Sequence, residues 1–350
     1  MKREKLIEIL QSLSDVMSTS GDESLMRQAL RPLLAGHVDE MRVDSLGNLI
    51  TLKKGTGESQ LRVLVTAHID EVGMIIVDHT TDGALKVRAV GGIDDRLLPG
   101  LNVCVGKEQL PGVMGVKAIH HSTAPERLRA IPIKDLSVDI GAKDKKEAQH
   151  LAPLGTRVTF STRAHPLGEL LAGKAFDDRA GCTALIALLH GEPFPFDLHG
   201  VFTVQEEVGL RGARVAGYAL EPDVAFVLEG TIADDLPKKE DVSLTSEIGK
   251  GPVLTVMDHS YISAPWLLRH TVKLAEELGI PYQFKQPGIG GTDAGAIHLT
   301  RGGVPSLTLA VPCRYIHGPI SLLKPEDLEA TIDLTAAALR NLTAEQLATN

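Results

Sequence analysis

The sequence predicts an α/β fold, in which a mixed, mostly parallel sheet is flanked by helices and carries an inserted β-rich domain. Three observations predict this fold. From residue 175 onward, apolar strand-like runs alternate with helical patterns, as in sheets covered by helices. Residues 61–67 form a strongly apolar run of the kind found inside parallel sheets. Between residues 71 and 162, short β-rich runs are separated by Gly and Pro turns.

The predicted elements follow in chain order. The first 36 residues have the pattern of two helices, broken by the polar stretch at residues 18–22. In the last half of the chain, strands are predicted at residues 198–204, 224–228 and 305–311, and helices at residues 180–190, 266–278 and 325–342. Because the β-rich block interrupts this pattern, we predict a catalytic domain made of residues 1–69 and 163–350, with residues 70–162 inserted.

Composition excludes several functional classes. The chain has 350 residues, 43% of them hydrophobic, which allows two domains or one large domain with an insertion. A formal net charge of -9 argues against a nucleic-acid-binding protein, and no apolar run is long enough to span a membrane. Three widely spaced cysteines and the absence of a signal-peptide pattern predict reduced thiols in a cytoplasmic protein.

A histidine and a carboxylate lie two residues apart where the apolar run at residues 61–67 ends. His68 and Asp70 would share one face of a strand, so that the carboxylate can orient the imidazole. One interpretation makes His68 a metal ligand and Asp70 its supporting partner. A capped strand end is the alternative, and these two residues alone do not separate the interpretations.

Two pairs of adjacent carboxylates raise the same question. Asp177 and Asp178 precede a predicted helix, where acids commonly act as caps, although one of them can instead bridge two cations. Glu206 and Glu207 follow a predicted strand, and neighbouring side chains there diverge. One of the two glutamates can therefore bind metal while the other accepts a proton; a solvated acidic turn is the alternative.

Two further candidates complete a mixed histidine and carboxylate set. Glu229 follows the predicted strand at residues 224–228, and His317 lies in a loop after the predicted strand at residues 305–311. Strand ends of an open α/β sheet line the ligand crevice. A histidine and carboxylate set at that crevice suits a two-metal hydrolytic site.

Taken in order, the motifs along nearly the whole chain resemble the family of dinuclear metallo-aminopeptidases that includes the deblocking and glutamyl aminopeptidases. The motifs are Ser20-Gly-Asp-Glu23, His68-Ile-Asp-Glu-Val-Gly73, Ala175-Phe-Asp-Asp-Arg179, Gln205-Glu-Glu-Val-Gly209, Leu228-Glu-Gly-Thr231, Gly291-Thr-Asp-Ala294 and Tyr315-Ile-His317. Each motif is modest alone, whereas the ordered set is specific.

The resemblance implies a ligand set. Asp177 would bridge two divalent metal ions, His68 and Glu229 would complete one site, and Glu207 and His317 would complete the other. It also implies a metal ion that is Zn²⁺ or Co²⁺, with Mn²⁺ as a further candidate, because histidine and carboxylate sites accept all three.

The resemblance also implies the chemistry. Glu206 would act as general base for a water activated by two metals, and Asp70 would orient His68. Substrates would be peptides with a free N-terminus, and the inserted domain would build a homo-oligomer, a tetrahedral dodecamer in the family. The chain departs from relatives at Gly318 and Ser321, and at Lys238 and Lys239, which replace a common Pro-Gly turn.

Three other functions compete with an aminopeptidase. A related metal-dependent deacylase or carboxypeptidase would use similar ligands and prefer a blocked amine or a free carboxylate. A glycosidase needs two carboxyls flanking a sugar linkage, but does not need the histidines, and this chain has only 3% aromatic residues. A non-catalytic scaffold is disfavoured because every proposed ligand and Glu206 are present.

Overall fold

A computed structural model describes residues 1–236 and 245–349. The helices of this part are α1 (Arg3–Ser14), α2 (Ser24–Leu34), α3 (Ala124–Arg127), α4 (Lys145–Leu151), α5 (Phe176–His190), α6 (Arg211–Leu220), α7 (Pro265–Leu278), α8 (Ala294–Ile297), α9 (Pro325–Arg340) and α10 (Ala344–Ala348). The strands of the first half are β1 (Glu40–Val43), β2 (Leu49–Lys53), β3 (Val63–His68), β4 (Gly73–His79), β5 (Leu85–Val90), β6 (Asn102–Val105), β7 (Leu110–Gly115), β8 (Ser137–Asp139) and β9 (Arg157–Phe160). The later strands are β10 (His165–Leu167), β11 (Leu170–Gly173), β12 (Leu198–Thr203), β13 (Val224–Ile232), β14 (Val253–Leu254), β15 (Gln283–Phe284), β16 (Ser306–Cys313) and β17 (Ser321–Leu323).

The central sheet has eight strands in the order β1-β2-β12-β3-β13-β16-β14-β15. Neighbours are parallel in the pairs β12–β3, β3–β13, β13–β16 and β14–β15, and antiparallel in the three others. This confirms the predicted mixed, mostly parallel sheet. A smaller sheet, β10-β11-β17, lies outside it.

Both faces of the central sheet are covered by helices because its inner strands are apolar on both faces. Successive residues of a strand point to opposite faces. Along β13, Phe226 belongs to an apolar cluster that includes residues of α1, α2, α5, α7 and α9, whereas Ala225 and Val227 belong to a second cluster that includes residues of α6 and α8. Every residue of β3 is buried, as the apolar run at residues 61–67 predicts.

One strand is longer than the sequence predicts. Strand β13 continues to Ile232 because it stays paired with β16 along its whole length, up to Ile232 opposite Cys313. Glu229 therefore lies inside a strand, and its predicted place after the strand end was wrong. The partner strand, which is distant in sequence, decides where the ladder ends.

The β-rich block forms a closed barrel in the order β4-β5-β8-β7-β6-β9. Strands β4 and β9 close it, with Met74 opposite Val158. The barrel has an apolar core of its own, which includes Val87, Met114 and Val138. The domain boundaries at residues 70 and 162, and the role of the insertion, stay predictions.

Among the described residues, no helix combines the length and the apolar character that a membrane crossing requires.

Candidate metal centre

Three adjacent strands of the central sheet deliver side chains to one edge. Strand β3 lies between β12 and β13, and its last residue, His68, is directly opposite Thr203, the last residue of β12. Glu206 follows three residues later, in a turn where its carbonyl accepts the N–H groups of Gly209 and Leu210, both at 2.9 Å. The chain therefore turns directly after the glutamate pair and returns towards α6.

The two aspartates at the start of α5 have different surroundings. Neither has helical backbone angles, so the regular helix begins at Arg179. The carboxylate of Asp178 accepts the N–H groups of Gly181 at 2.8 Å and of His68 at 3.1 Å. Asp178 therefore caps the helix, the role that acids before a helix commonly have. Asp177 instead faces the cleft.

Asp177 joins two groups of potential ligands. Its Oδ1 lies 3.0 Å from His68 Nε2, which is also 3.1 Å from Glu229 Oε1. Its Oδ2 lies 3.2 Å from His317 Nε2, which is 3.4 Å from Glu207 Oε2. In each group the three ligand atoms lie within 4.8 Å of one another. The five residues singled out as ligands from the sequence are therefore brought together.

Asp70 is buried beneath the cleft and supports two parts of it. His68 Nδ1 lies 3.1 Å from the backbone carbonyl of Asp70 and 3.5 Å from the Asp70 carboxylate. A carbonyl oxygen only accepts, so Nδ1 carries the proton and Nε2 stays available for a metal ion. The Asp70 carboxylate accepts the N–H groups of Glu206 at 3.0 Å and Glu207 at 3.2 Å, and the Ser20 hydroxyl at 2.6 Å. Asp70 therefore fixes the glutamate pair as well as the histidine.

The cleft carries more negative charge than its histidines neutralise. Burial raises the pKa of Glu229 to about 8 and that of Glu207 to about 7, although His68 and His317 oppose the rise. Burial, together with the neighbouring Glu229, also raises the pKa of Glu206 well above its ordinary value, again against His68. Cations bound among these carboxylates would relieve this excess charge.

The histidines respond to the same charges. Burial opposes protonation of His317, but its hydrogen bond with Asp177 raises its pKa to about 9. His68 is raised well above its ordinary pKa, since Glu229 and Asp177 overcome the effect of burial. Although burial alone would raise it, the pKa of Asp177 lies below its usual range because both histidines donate to it.

The residues present fit divalent cations. Glu207 Oε1 and Glu229 Oε2 are buried and have no hydrogen-bond partner among the described residues. Carboxylate and imidazole ligands suit Zn²⁺, Co²⁺ and Mn²⁺. A cation in each group would take up those free oxygens and replace the protons that the histidines otherwise carry.

Sequence reasoning missed two residues that lie at the cleft or against it. Asp293 is buried, accepts the Thr203 hydroxyl at 2.5 Å, and contributes to the raised pKa of Glu206. It belongs to the motif Gly291-Thr-Asp-Ala294, so the sequence marked this stretch without giving Asp293 a role. Lys285 lines the cleft and is buried, but nothing in its local sequence indicates this.

Three histidines and a cysteine that belong to no proposed ligand group do not line the cleft. His120, His121 and His259 are exposed, and Cys182 is buried with its Sγ 3.1 Å from the His68 carbonyl. The three cysteines are unpaired.

The positions that depart from relatives divide into two groups. Gly318 and Ser321 line a small cavity together with Asp177, Glu207 and His317. Lys238 and Lys239 lie outside the described residues.

Residues 47–334 match the family model described as M42 glutamyl aminopeptidase. The chain belongs to the M42 aminopeptidase family. The lysyl aminopeptidase of Pyrococcus furiosus is 32% identical over 344 residues, which are 96% of this chain and 97% of that protein. This M42 protein is therefore a peptide hydrolase of the aminopeptidase class, and the glycosidase, carboxypeptidase and deacylase alternatives are not favoured.

Solved structures agree with the family assignment. An aminopeptidase from the archaeon Desulfurococcus kamchatkensis is 31% identical with a TM-score of 0.94, covering 99% of this chain and 98% of that one. The TET1 peptidase of Pyrococcus horikoshii, described as able to assemble into a tetrahedron or a large octahedral shell, is 34% identical with a TM-score of 0.85, covering 96% of this chain and 100% of that one. M42 peptidases are metallopeptidases, in agreement with the two ligand groups.

Proposed function

We propose that this M42 aminopeptidase removes N-terminal residues from peptides at a dinuclear metal centre. One observation carries the proposal: the two oxygens of Asp177 face different histidines, one in each ligand group. In this assignment Asp177 would be shared by two ions, His68 and Glu229 would hold one, and Glu207 and His317 would hold the other. A carboxylate suits the bridging position because it offers two oxygens.

Glu206 is the proposed general base. Divalent ions bound in the two groups would lower the pKa of a water molecule and polarise the scissile carbonyl. The Glu206 carboxylate, which belongs to neither ligand group, accepts the proton of the attacking water and passes it to the nitrogen of the leaving amine. Asp70 is a positioning residue, because it holds the N–H of Glu206 and the imidazole of His68.

The proposed substrate carries a free α-amino group. The cleft is lined by the carboxylates of Asp177, Glu206, Glu207 and Glu229, whose oxygens can accept the N–H groups of a free amine. A metal ion held there would bind the amine nitrogen, whereas an acetylated nitrogen has no available lone pair and only one N–H group. The proposed ions are Zn²⁺ or Co²⁺, with Mn²⁺ as a third candidate, two per subunit. Reloading metal-depleted protein with each ion and measuring turnover identifies the most effective one.

A homo-oligomer, and specifically a dodecamer, is the proposed assembly, built by residues 70–162. Several apolar side chains of this segment are exposed, among them Leu128 at 88%, Ile119 at 60% and Val116 at 51%. Apolar surface of this kind is favourable to bury between subunits. Light scattering coupled to size-exclusion chromatography tests this, and a monomer at micromolar concentration would contradict it.

We also propose a cytoplasmic location, supported by the three unpaired cysteines, because thiols stay reduced in the cytosol. Fractionation of the source cells, followed by immunodetection of the chain, tests it.

The variant Glu206→Gln tests the general base. We expect it to retain the wild-type metal content, measured by mass spectrometry of the metal, and to lose at least roughly 100-fold in kcat on aminoacyl-p-nitroanilides. Glu58→Gln, at an exposed position, is the matched control and keeps full activity. Normal metal content with a near wild-type rate in Glu206→Gln would defeat the assignment.

A further inference from the structure

Lys285 places a cation in the wall of the active-site cleft. The residue directly follows β15, and its backbone N–H donates to the Leu254 carbonyl at 3.0 Å, which fixes the chain against the central sheet. Its side chain lines a cavity of about 300 Å³ together with Glu206 and Glu229, and only 6% of the residue is exposed. Among the described residues that line this cavity, Lys285 is the only lysine or arginine.

The ammonium of Lys285 has no partner among the residues that the structure describes. No ion pair or side-chain hydrogen bond joins its Nζ to another residue within 1–236 or 245–349. The nearby loop is close, since a Cβ atom on Gly290 would lie 3.5 Å from Nζ. A buried charge without a partner is unfavourable, so the position is expected to gain stability when a ligand supplies an anionic group.

The charge of the loaded cleft favours an anionic ligand at this point. On the proposed function, two divalent ions would balance the four carboxylates that line the cavity. Lys285 then remains a positive charge that no carboxylate among the described residues pairs with. The other parts of the wall include the uncharged residues Leu210, Ile232 and Ile316, which offer no competing anion.

We propose that Lys285 is a specificity-determining residue that binds the side-chain carboxylate of an N-terminal aspartate or glutamate. This inference rests on the proposed aminopeptidase function and names the substrate class of the same cleft. Similar proteins do not decide between an acidic and a basic N-terminal residue, because the family model is described as glutamyl aminopeptidase and the Pyrococcus furiosus relative is a lysyl aminopeptidase. A lysine in the cleft wall attracts an acidic side chain and repels a basic one.

The test compares glutamyl- and glutaminyl-p-nitroanilide, which differ in charge but little in shape, on the metal-loaded protein. We expect kcat/KM to be roughly 10-fold or more higher for the glutamyl substrate, as for a hydrogen bond to a charged group. Lysyl-p-nitroanilide should be the poorest of the three. In Lys285→Met the ratio of glutamyl to glutaminyl should fall to about one, whereas Lys285→Arg should keep the preference.

Matched controls separate the possible outcomes. Lys250→Met alters an exposed lysine outside the cleft and should leave the ratio unchanged. A wild-type ratio near one, or an unchanged ratio in Lys285→Met, overturns the inference while cleavage of other free-amine substrates still supports the aminopeptidase. Failure to cleave any free-amine substrate contradicts the proposed function instead. If Lys285→Met does not fold, the wild-type ratio and Lys285→Arg decide the question.

A dipeptide series tests whether Lys285 instead binds the C-terminal carboxylate of the substrate. Free and C-terminally amidated dipeptides with a neutral N-terminal residue are compared in wild type and Lys285→Met. The inference predicts the same relative effect on both forms, because Lys285 would contact the side chain of the N-terminal residue and not the terminal carboxylate. A loss confined to the free-carboxylate form would assign Lys285 to the substrate's C-terminus and overturn the inference.

Discussion

Asp177 has the most consequential position of any single side chain, because it belongs to both ligand groups, whereas every other ligand belongs to one. His68 and His317 lie on opposite sides of its carboxylate, at 3.0 and 3.2 Å. The two proposed metal sites are therefore coupled through one residue.

The first prediction concerns metal content. His317→Ala removes a ligand from one group only, so the purified protein should retain about half of the wild-type metal, as measured by mass spectrometry of the metal. Asp177→Ala should retain far less, since both groups lose a ligand. Asp82→Asn, at an exposed position, serves as control. Equal losses in the two variants would contradict a bridging role for Asp177.

Residues near strand ends were the part of the site that the sequence could predict. His68 and Glu206 follow apolar runs, and the ends of parallel strands meet at one edge of a sheet. Lys285 could not be predicted, because it reaches the cleft from beside β15, a two-residue edge strand whose pairing with β14 is non-local. The same cause explains why β13 is longer than predicted and why Glu229 lies inside it: the length of the strand depends on its pairing with β16, which is distant in sequence.

Strand β13 and the start of α5 approach each other closely at the candidate site. A Cβ atom added to Gly230 would lie 2.8 Å from Asp177 Cα and 3.0 Å from the Phe176 carbonyl oxygen. These are backbone atoms, which cannot rotate away. The glycine therefore permits the contact that places Glu229 beside Asp177.

The second prediction follows from that contact. Gly230→Ala should displace the start of α5, lower the free energy of unfolding by roughly 1–3 kcal/mol, and reduce both metal content and kcat/KM. Gly302→Ala is the matched control, because a Cβ atom there meets nothing within 4 Å. Chemical denaturation and metal analysis are the measurements. A Gly230→Ala protein with wild-type stability and metal content would show that the contact is not needed.

The helix side of this contact was predictable in part. Acidic residues before an apolar helical run indicate a cap, and Asp178 is that cap. Which of two adjacent carboxylates caps and which faces the cleft depends on backbone angles at both residues, and the sequence does not determine these.

On the scale of the whole molecule, the site lies where the barrel meets the central sheet. The loop after β5, which belongs to the barrel, lies against two residues of the site. A Cβ atom on Gly91 would lie 3.4 Å from Glu207 Cβ, and one on Gly92 would lie 3.3 Å from His317 Nδ1. Both halves of the molecule therefore bound the cleft. The sequence predicted a β-rich insertion but not its closure, because β4 and β9, which close the barrel, are more than 70 residues apart.

The third prediction concerns stability of the whole fold. Several buried carboxylates repel one another when no cation is present, and an ion that binds only the folded state stabilises it. Chelation should therefore lower the melting temperature by several degrees, and adding the metal ion back should restore it. Glu206→Gln should keep this response and Asp177→Ala should lose it. A melting temperature that does not respond to chelation in the wild type would contradict metal binding in the cleft.

The central claim is a metal-dependent aminopeptidase, and one measurement tests it most directly. Aminoacyl-p-nitroanilides with free and with acetylated N-termini are offered to metal-depleted protein and to protein reloaded with Zn²⁺, Co²⁺ or Mn²⁺. We predict that cleavage returns only with metal and only for the free-amine substrates. Cleavage of the acetylated series instead, or cleavage of the free series that is indifferent to metal, would contradict this account.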